Sequence, residues 1–146
     1  MTKSEFKKII NNSIKEKRKG ERRGSSTSHY NILSNNKDSI FFKTKKVEIF
    51  TSQAAARQKG LCRTIELEFL KNRQIIFYDS QSCNEPSSGL IPTRKNLYKY
   101  KIKQINKQLY IYFKNSFNEM KFKVVSASRK LLNGKNYYEI EMERIK

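Results

Sequence analysis

Residues 97 to 145 read LYKYKIKQINKQLYIYFKNSFNEMKFKVVSASRKLLNGKNYYEIEMERI, and their patterning decides the fold. Four runs alternate apolar and polar residues with period two, which places successive side chains on opposite faces of a strand. Tyr98, Tyr100 and Ile102 share one face, as do Leu109, Ile111 and Phe113. The same holds for Met120, Phe122 and Val124, and for Tyr138, Ile140 and Met142. Between the last two runs stands Leu132-Asn133-Gly134-Lys135. Asn-Gly accepts the two positive φ angles of a type I′ turn, so this is a strong hairpin signal. The stretch predicts an antiparallel meander with one apolar face, and its function depends on what that face encloses.

The same period reaches back towards residue 29. HYNILS reads as a short strand with Tyr30 and Ile32 on one face. Residues 39–50 continue the pattern with one slip near Phe42, which a bulge would absorb. Residues 51–60 hold the Ala cluster and read as a loop or a single helical turn. Residues 62–70 alternate Ile65, Leu67 and Phe69 against Thr64, Glu66 and Glu68, and Lys71-Asn72 turns the chain into a partner strand over 73–78. Residues 79–94 carry both prolines and read as the longest loop. Ahead of all this, residues 2–17 read as a helix. Thr2 and Glu5 form a capping-box pattern, and Phe6, Ile9, Ile10 and Ile14 form one apolar stripe. Residues 15–28, KEKRKGERRGSSTS, are basic and helix-breaking and read as a linker.

The expected fold class is all-β with one N-terminal helix: an up-and-down antiparallel, lipocalin-like (calycin) barrel of about eight or more strands in sequential order. One domain spans 1–146, with a helix over 1–17, a basic linker over 18–28 and the barrel over 29–146. An eight-stranded barrel has an interior that side chains fill or that holds one small ligand.

Composition narrows the function classes. The net charge is +19, from 32 basic and 13 acidic residues. That charge fits a polyanion partner such as RNA. It also fits an AT-rich genome, because Lys outnumbers Arg 23 to 9 while Ala, Gly, Pro and Trp are scarce. Two cysteines, Cys62 and Cys83, and a single His do not make a zinc site, so no metal is expected. Two cysteines are no disulfide framework either, which makes a reducing compartment the default expectation. No apolar run approaches the ~18 residues that span a membrane, and no membrane partner is expected.

No phosphate loop, nucleophile elbow or metal-ligand cluster is present, so any catalysis must work by holding reactants in place. Two features remain. Arg129 ends an alternating run, and Glu139, Glu141 and Glu143 alternate along the last strand. They are either solvated outward charges or inward groups, an Arg for a ligand carboxylate and a Glu for heterocycle N–H groups. Tyr98, Tyr100, Tyr110, Tyr112, Tyr137 and Tyr138 are either strand packing or, beside Lys, stacking surfaces for bases.

The layout resembles the S-type phycobiliprotein lyases, the CpcS/CpeS chromophore lyases that have homologues encoded in red-algal plastids. That family begins with a helix and then a segment close to G-x-W-x-S-Q-R-T-S-H. Gly20, Thr27, Ser28 and His29 match it in register, while Arg22 stands at the Trp and Ser26 at the Arg. Ser88-Gly89-Leu90 resembles a G-x-L-L-R step, and Glu119-Met120-Lys121-Phe122 an E-R-x-W-F segment. Arg129 falls at the first Arg of N-L-R-x-R, and Tyr138-Glu139-Ile140-Glu141 resembles the closing F-x-S-E-I-R, with Glu143-Arg144-Ile145 as the other register.

The resemblance implies a lipocalin-like barrel that holds a linear tetrapyrrole such as phycocyanobilin and attaches it, as a lyase, to a cysteine of a phycobiliprotein. The bilin is substrate, not resident cofactor. By the same resemblance Arg129 meets a propionate, Glu141 contacts the pyrrole nitrogens and helps protonate the bilin, and Arg23, Thr27 and His29 complete the ligand-binding set. The attacking thiol belongs to the acceptor. The implied partners are phycobiliprotein subunits and the phycobilin, with homo-oligomerisation as a further option, and the implied location is a plastid (chloroplast). The rival reading is a basic RNA-binding or organellar ribosome-associated protein, whose Lys-rich helix and linker neutralise phosphate.

Overall fold

The computed structural model describes residues 1–23, 31–89 and 93–146 and, of residues 20–23, the backbone only. In chain order the elements are α1 (Lys3–Arg23), β1 (Leu33–Asn35), a 3-10 segment (Lys37–Phe42), β2 (Lys46–Phe50) and α2 (Gln53–Gln58). There follow β3 (Arg63–Phe69), β4 (Gln74–Gln81), β5 (Ser88–Gly89), β6 (Leu97–Ile105), β7 (Gln108–Lys114), β8 (Glu119–Leu132) and β9 (Lys135–Ile145). Eight strands close a ring in the order β1-β2-β9-β8-β7-β6-β4-β3 and back to β1, every pairing antiparallel, with β5 added outside on β4. The chain is thus an antiparallel lipocalin-like barrel with an N-terminal helix, as its alternation requires. Among the described residues no helix is long and apolar enough to cross a membrane.

The strand order departs from strict sequence at one place. β1 lies between β2 and β3 rather than at the end of the series. The chain leaves β2 through α2, whose Ser52 cap accepts from the Ala55 N–H at 3.3 Å, and re-enters beyond β1 as β3. The Ala cluster explains this path. Ala56 packs with Leu33 and Phe50 on the outer side of β1 and β2, and only a side chain this small lets the short helix lie so close.

The three tightest hairpins of the barrel wall share one device. Asn72-Arg73, Asn106-Lys107 and Asn133-Gly134 all have positive φ at both turn residues. Asn tolerates the left-handed region better than most residues, and its turn twist matches that of the strands.

Four sequence expectations are corrected. The helix does not stop at residue 17 but runs to Arg23 through the segment read as a linker. Gly20 costs helix stability, but Glu, Lys and Arg around it are strong helix formers. The phase slip near Phe42 is not a bulge: the chain winds into the 3-10 segment and only residues 46–50 form β2. The strand read over HYNILS starts at Leu33, and its Tyr30 lies outside the described residues. Cys62 and Cys83, read as making no disulfide framework, form a disulfide, with Cα atoms 4.9 Å apart. Antiparallel pairing of Arg63 with Gln81 brings the two together across 21 residues of sequence.

Side chains fill the barrel. Ile75, Ile111, Phe113, Phe122 and Met142 are fully buried, and Phe77 and Ile140 nearly so. Each end has its own stopper. At one end the 3-10 segment sends Phe41 inward, 5.7 Å from the Phe77 ring and 6.1 Å from Phe122. Arg144 fastens that segment: it donates to the Phe41 carbonyl at 2.6 Å and the Thr44 carbonyl at 3.1 Å, with its guanidinium 4.7 Å from the Phe122 ring centre. At the other end α1 inserts Phe6 and Ile10 into the same core.

Candidate functional site

The helix-covered end gathers the features that can hold a ligand. The Glu5 N–H donates to Thr2 Oγ1 at 3.1 Å, which fixes the start of α1 as the capping pattern predicts. The Lys3 N–H donates to Gln104 Oε1 at 3.0 Å, and Lys17 Nζ lies 2.6 Å from a Glu68 carboxylate oxygen. These contacts stretch α1 from the end of β6 to the end of β3. Its apolar stripe faces down and its lysines face out, because the stripe alone gains from leaving water.

Beside α1 runs an open groove of about 720 Å³, bounded by the β3–β4 turn. Lys15, Arg18, Lys19, Lys71, Arg73 and Tyr100 line it, and none of its described lining residues is acidic. Tyr100 is fixed in place. Its N–H donates to the Arg73 carbonyl at 2.9 Å, and its ring meets Phe69 edge-on at 5.0 Å. Burial raises the pKa of its phenol, with the Arg73 charge pulling the other way. The groove therefore offers several cations around one neutral aromatic ring. Arg guanidinium suits a planar carboxylate, which it meets with two parallel hydrogen bonds.

Arg129 stands at this same end but does not line the groove. It lies on β8 opposite Tyr138, on the side continuous with the inward-facing pair Ala127–Ile140, and is exposed beyond the mouth. Tyr138 packs against the core. Arg23 is the last residue of α1; its side chain is outside the described residues, as are Thr27 and His29 altogether. The described residues on either side of that segment belong to this end of the barrel, since α1 reaches β3 here and Ile32 accepts from the Leu67 N–H at 2.8 Å just before β1.

Glu141 does not join them. It pairs with Glu48 of β2 and with Ser126 of β8 on the outer face, and its carboxylate is 3.9 Å from Lys46 Nζ. The expectation of an inward Arg129–Glu141 pair is corrected. A register shift between Val124 and Ser126 moves every later β8 residue by one position, so Arg129 and Glu141 fall on opposite faces. Neighbouring Glu139 and Glu143 also point outward. Glu139 is held by Lys130 at 2.9 Å and Lys59 at 3.5 Å, and Glu143 by Lys45 at 3.5 Å. Burial pushes the Glu139 carboxyl up, but the hydrogen bond and charge of Lys130, with Lys59 behind it, outweigh this and hold it below the ordinary value.

The tyrosines do not form one row. Tyr98 is buried in the core, while Tyr110 and Tyr112 stand on the outer face of β7, their rings 6.4 Å apart and within 16° of parallel. The signal that separates them was present: Leu109, Ile111 and Phe113 take the inner positions, which leaves even numbers outside.

No family model, curated protein or solved structure matches the chain.

Proposed function

We propose that the protein binds a linear tetrapyrrole such as phycocyanobilin at the helix-covered end of its barrel and, as a lyase, delivers it to a cysteine of a phycobiliprotein subunit in the plastid. The observation that carries this reading is positional. Arg129 and the end of α1 at Arg23 lie at one end of the barrel, and Thr27 and His29, outside the described residues, follow Arg23 in the sequence. These are the ligand-binding positions of the lyase resemblance. The fold, a helix followed by a lipocalin-like barrel, is also the one that resemblance implies.

A bilin is a long conjugated ring system with two propionates. Its chemistry matches a groove with a tyrosine ring and several cations. The filled interior sets the depth: the bilin lies against the barrel end, beneath or beside α1, rather than among Phe77, Phe113 and Phe122. Attachment adds the acceptor thiol to the A-ring side chain. The S–C bond forms as the C=C π bond of that side chain opens, the thiol proton passes to the tetrapyrrole, and nothing is oxidised. The cysteines of this chain are bonded to each other, so neither competes with the acceptor thiol. The AT-rich composition agrees with plastid encoding.

The test is to mix the protein with phycocyanobilin and record the visible spectrum. Saturation at one equivalent is expected. The double variant Arg18→Ala, Arg73→Ala should bind about tenfold or more weakly, since charge-assisted hydrogen bonds are worth ~1.5–3 kcal/mol. An unchanged spectrum in the wild-type mixture refutes the reading.

A further inference from the structure

The outer face of β6, β7 and β8 is built differently from the rest of the wall. Register places Lys99, Lys101 and Lys103 of β6 beside Lys114, Tyr112 and Tyr110 of β7, and these beside Glu119, Lys121 and Lys123 of β8. Two parallel tyrosine rings thus stand in the middle strand between two rows of lysine. The Lys103 ammonium lies 5.7 Å from the Tyr112 ring centre. A groove of about 760 Å³ crosses this face along Lys99, Lys101, Lys103, Tyr112 and Lys121, and meets the groove beside α1 at Arg73 and Tyr100. Glu119, 3.6 Å from Lys121 Nζ, is the one carboxylate in that part of the register among the described residues, whereas the outer face of β9 carries three, Glu139, Glu141 and Glu143, each with a lysine partner. Charge is therefore sorted, with neutralised carboxylates on one side of the barrel and concentrated cations on the other.

Solubility alone needs neither the sorting nor the rings, because a mixed surface dissolves at least as well. A protein partner is a poor fit, since the centre of a protein interface is apolar and depleted of lysine. We infer that this face is a platform for single-stranded nucleic acid, in which Tyr110 and Tyr112 stack bases and the flanking lysines neutralise phosphates. Single-strand sites combine these two elements: a cationic track, and aromatic rings that accept any base. Alternate residues on a strand are ~6.6–6.8 Å apart and neighbouring strands ~4.8 Å, so the lysines form a lattice around the rings and not one isolated charge.

The experiment uses the full chain, a fluorescently labelled 15-nucleotide oligouridylate and its DNA counterpart, with anisotropy read from about 50 to 200 mM salt. Affinity should fall with salt at a logarithmic slope near −3, as neutralising four or five phosphates on a single strand requires. Tyr110→Ala with Tyr112→Ala should weaken binding at least about fivefold per tyrosine, and leave the affinity for heparin, a polyanion without bases, unchanged. Lys101→Gln with Lys123→Gln should lower both affinities and flatten the salt slope. Both pairs of side chains lie on the outer surface, and circular dichroism checks the fold of each variant. Unchanged oligonucleotide affinity in the tyrosine variant overturns the inference, as does an equal loss for heparin. Tyr110, Tyr112 and Lys123 do not line the groove beside α1, so the tyrosine variant should titrate with phycocyanobilin as the wild type does.

Discussion

Replacing Phe41 with alanine tests whether the 3-10 segment closes the barrel. Phe41 is fully buried, and its ring lies 5.7 Å from Phe77, 6.1 Å from Phe122 and 5.2 Å from Phe42. Phe-to-Ala changes in cores cost about 3–5 kcal/mol, and the value depends on how far the surroundings collapse. Collapse is restricted here. The Phe41 N–H donates to Asn36 Oδ1 at 3.3 Å, and Arg144 donates to the Phe41 carbonyl at 2.6 Å. Both contacts use backbone atoms that the substitution retains, so the segment stays in place over the vacated volume. The loss should sit near the middle of the range, about 4 kcal/mol, or roughly 8–16 °C in melting temperature for a chain of this size. Urea unfolding followed by circular dichroism measures it, with the dependence on urea unchanged. A loss below about 1.5 kcal/mol would mean that Phe41 does not occupy the barrel, and would refute the plugged-end description.

Two further outcomes follow from contacts at the rim and outer wall. Native protein should show no titratable thiol and unfolded, reduced protein two; the Cys62→Ser, Cys83→Ser variant should lose about 3 kcal/mol, since the bond closes a loop of 21 residues. Glu139 has its folded pKa held down by Lys130 and Lys59. The unfolded chain then binds more protons than the folded one as pH falls towards the ordinary carboxylate value, so the stabilisation is complete above that value and disappears below the depressed one. Glu139→Gln should flatten the acid limb of stability against pH while changing the neutral region less, and an identical acid limb would contradict the ion-pair assignment.

Much of this was legible in the sequence. The meander over 97–145 appears with its inner faces as read: Ile102, Leu109, Ile111, Phe113, Met120, Phe122, Val124, Ile140 and Met142 are all buried. Burial of one face dictates a period of two, and that signal is local. Asn133-Gly134 likewise reveals its turn through backbone chemistry. What failed was non-local. The Cys62–Cys83 bond depends on β4 continuing to Gln81, three residues beyond where its apolar pattern ends. The separation of Arg129 from Glu141 depends on one register shift, which inverts the faces of everything beyond it. The position of β1 between β2 and β3 depends on α2 packing outside the sheet, which no period within either strand encodes. For the site, sequence marked which residues could hold a ligand, but the groove belongs to α1 and the β3–β4 turn together.

The helix-covered end is the proposed seat of a linear tetrapyrrole. The measurement closest to that proposal is a visible-absorbance titration of the protein with phycocyanobilin, run beside Arg129→Ala and the Arg18→Ala, Arg73→Ala variant. A new absorbance band that saturates at one equivalent is expected, with a weaker titration in both variants. No spectral change on mixing, or a band equally strong in wild type and both variants, would contradict the proposal.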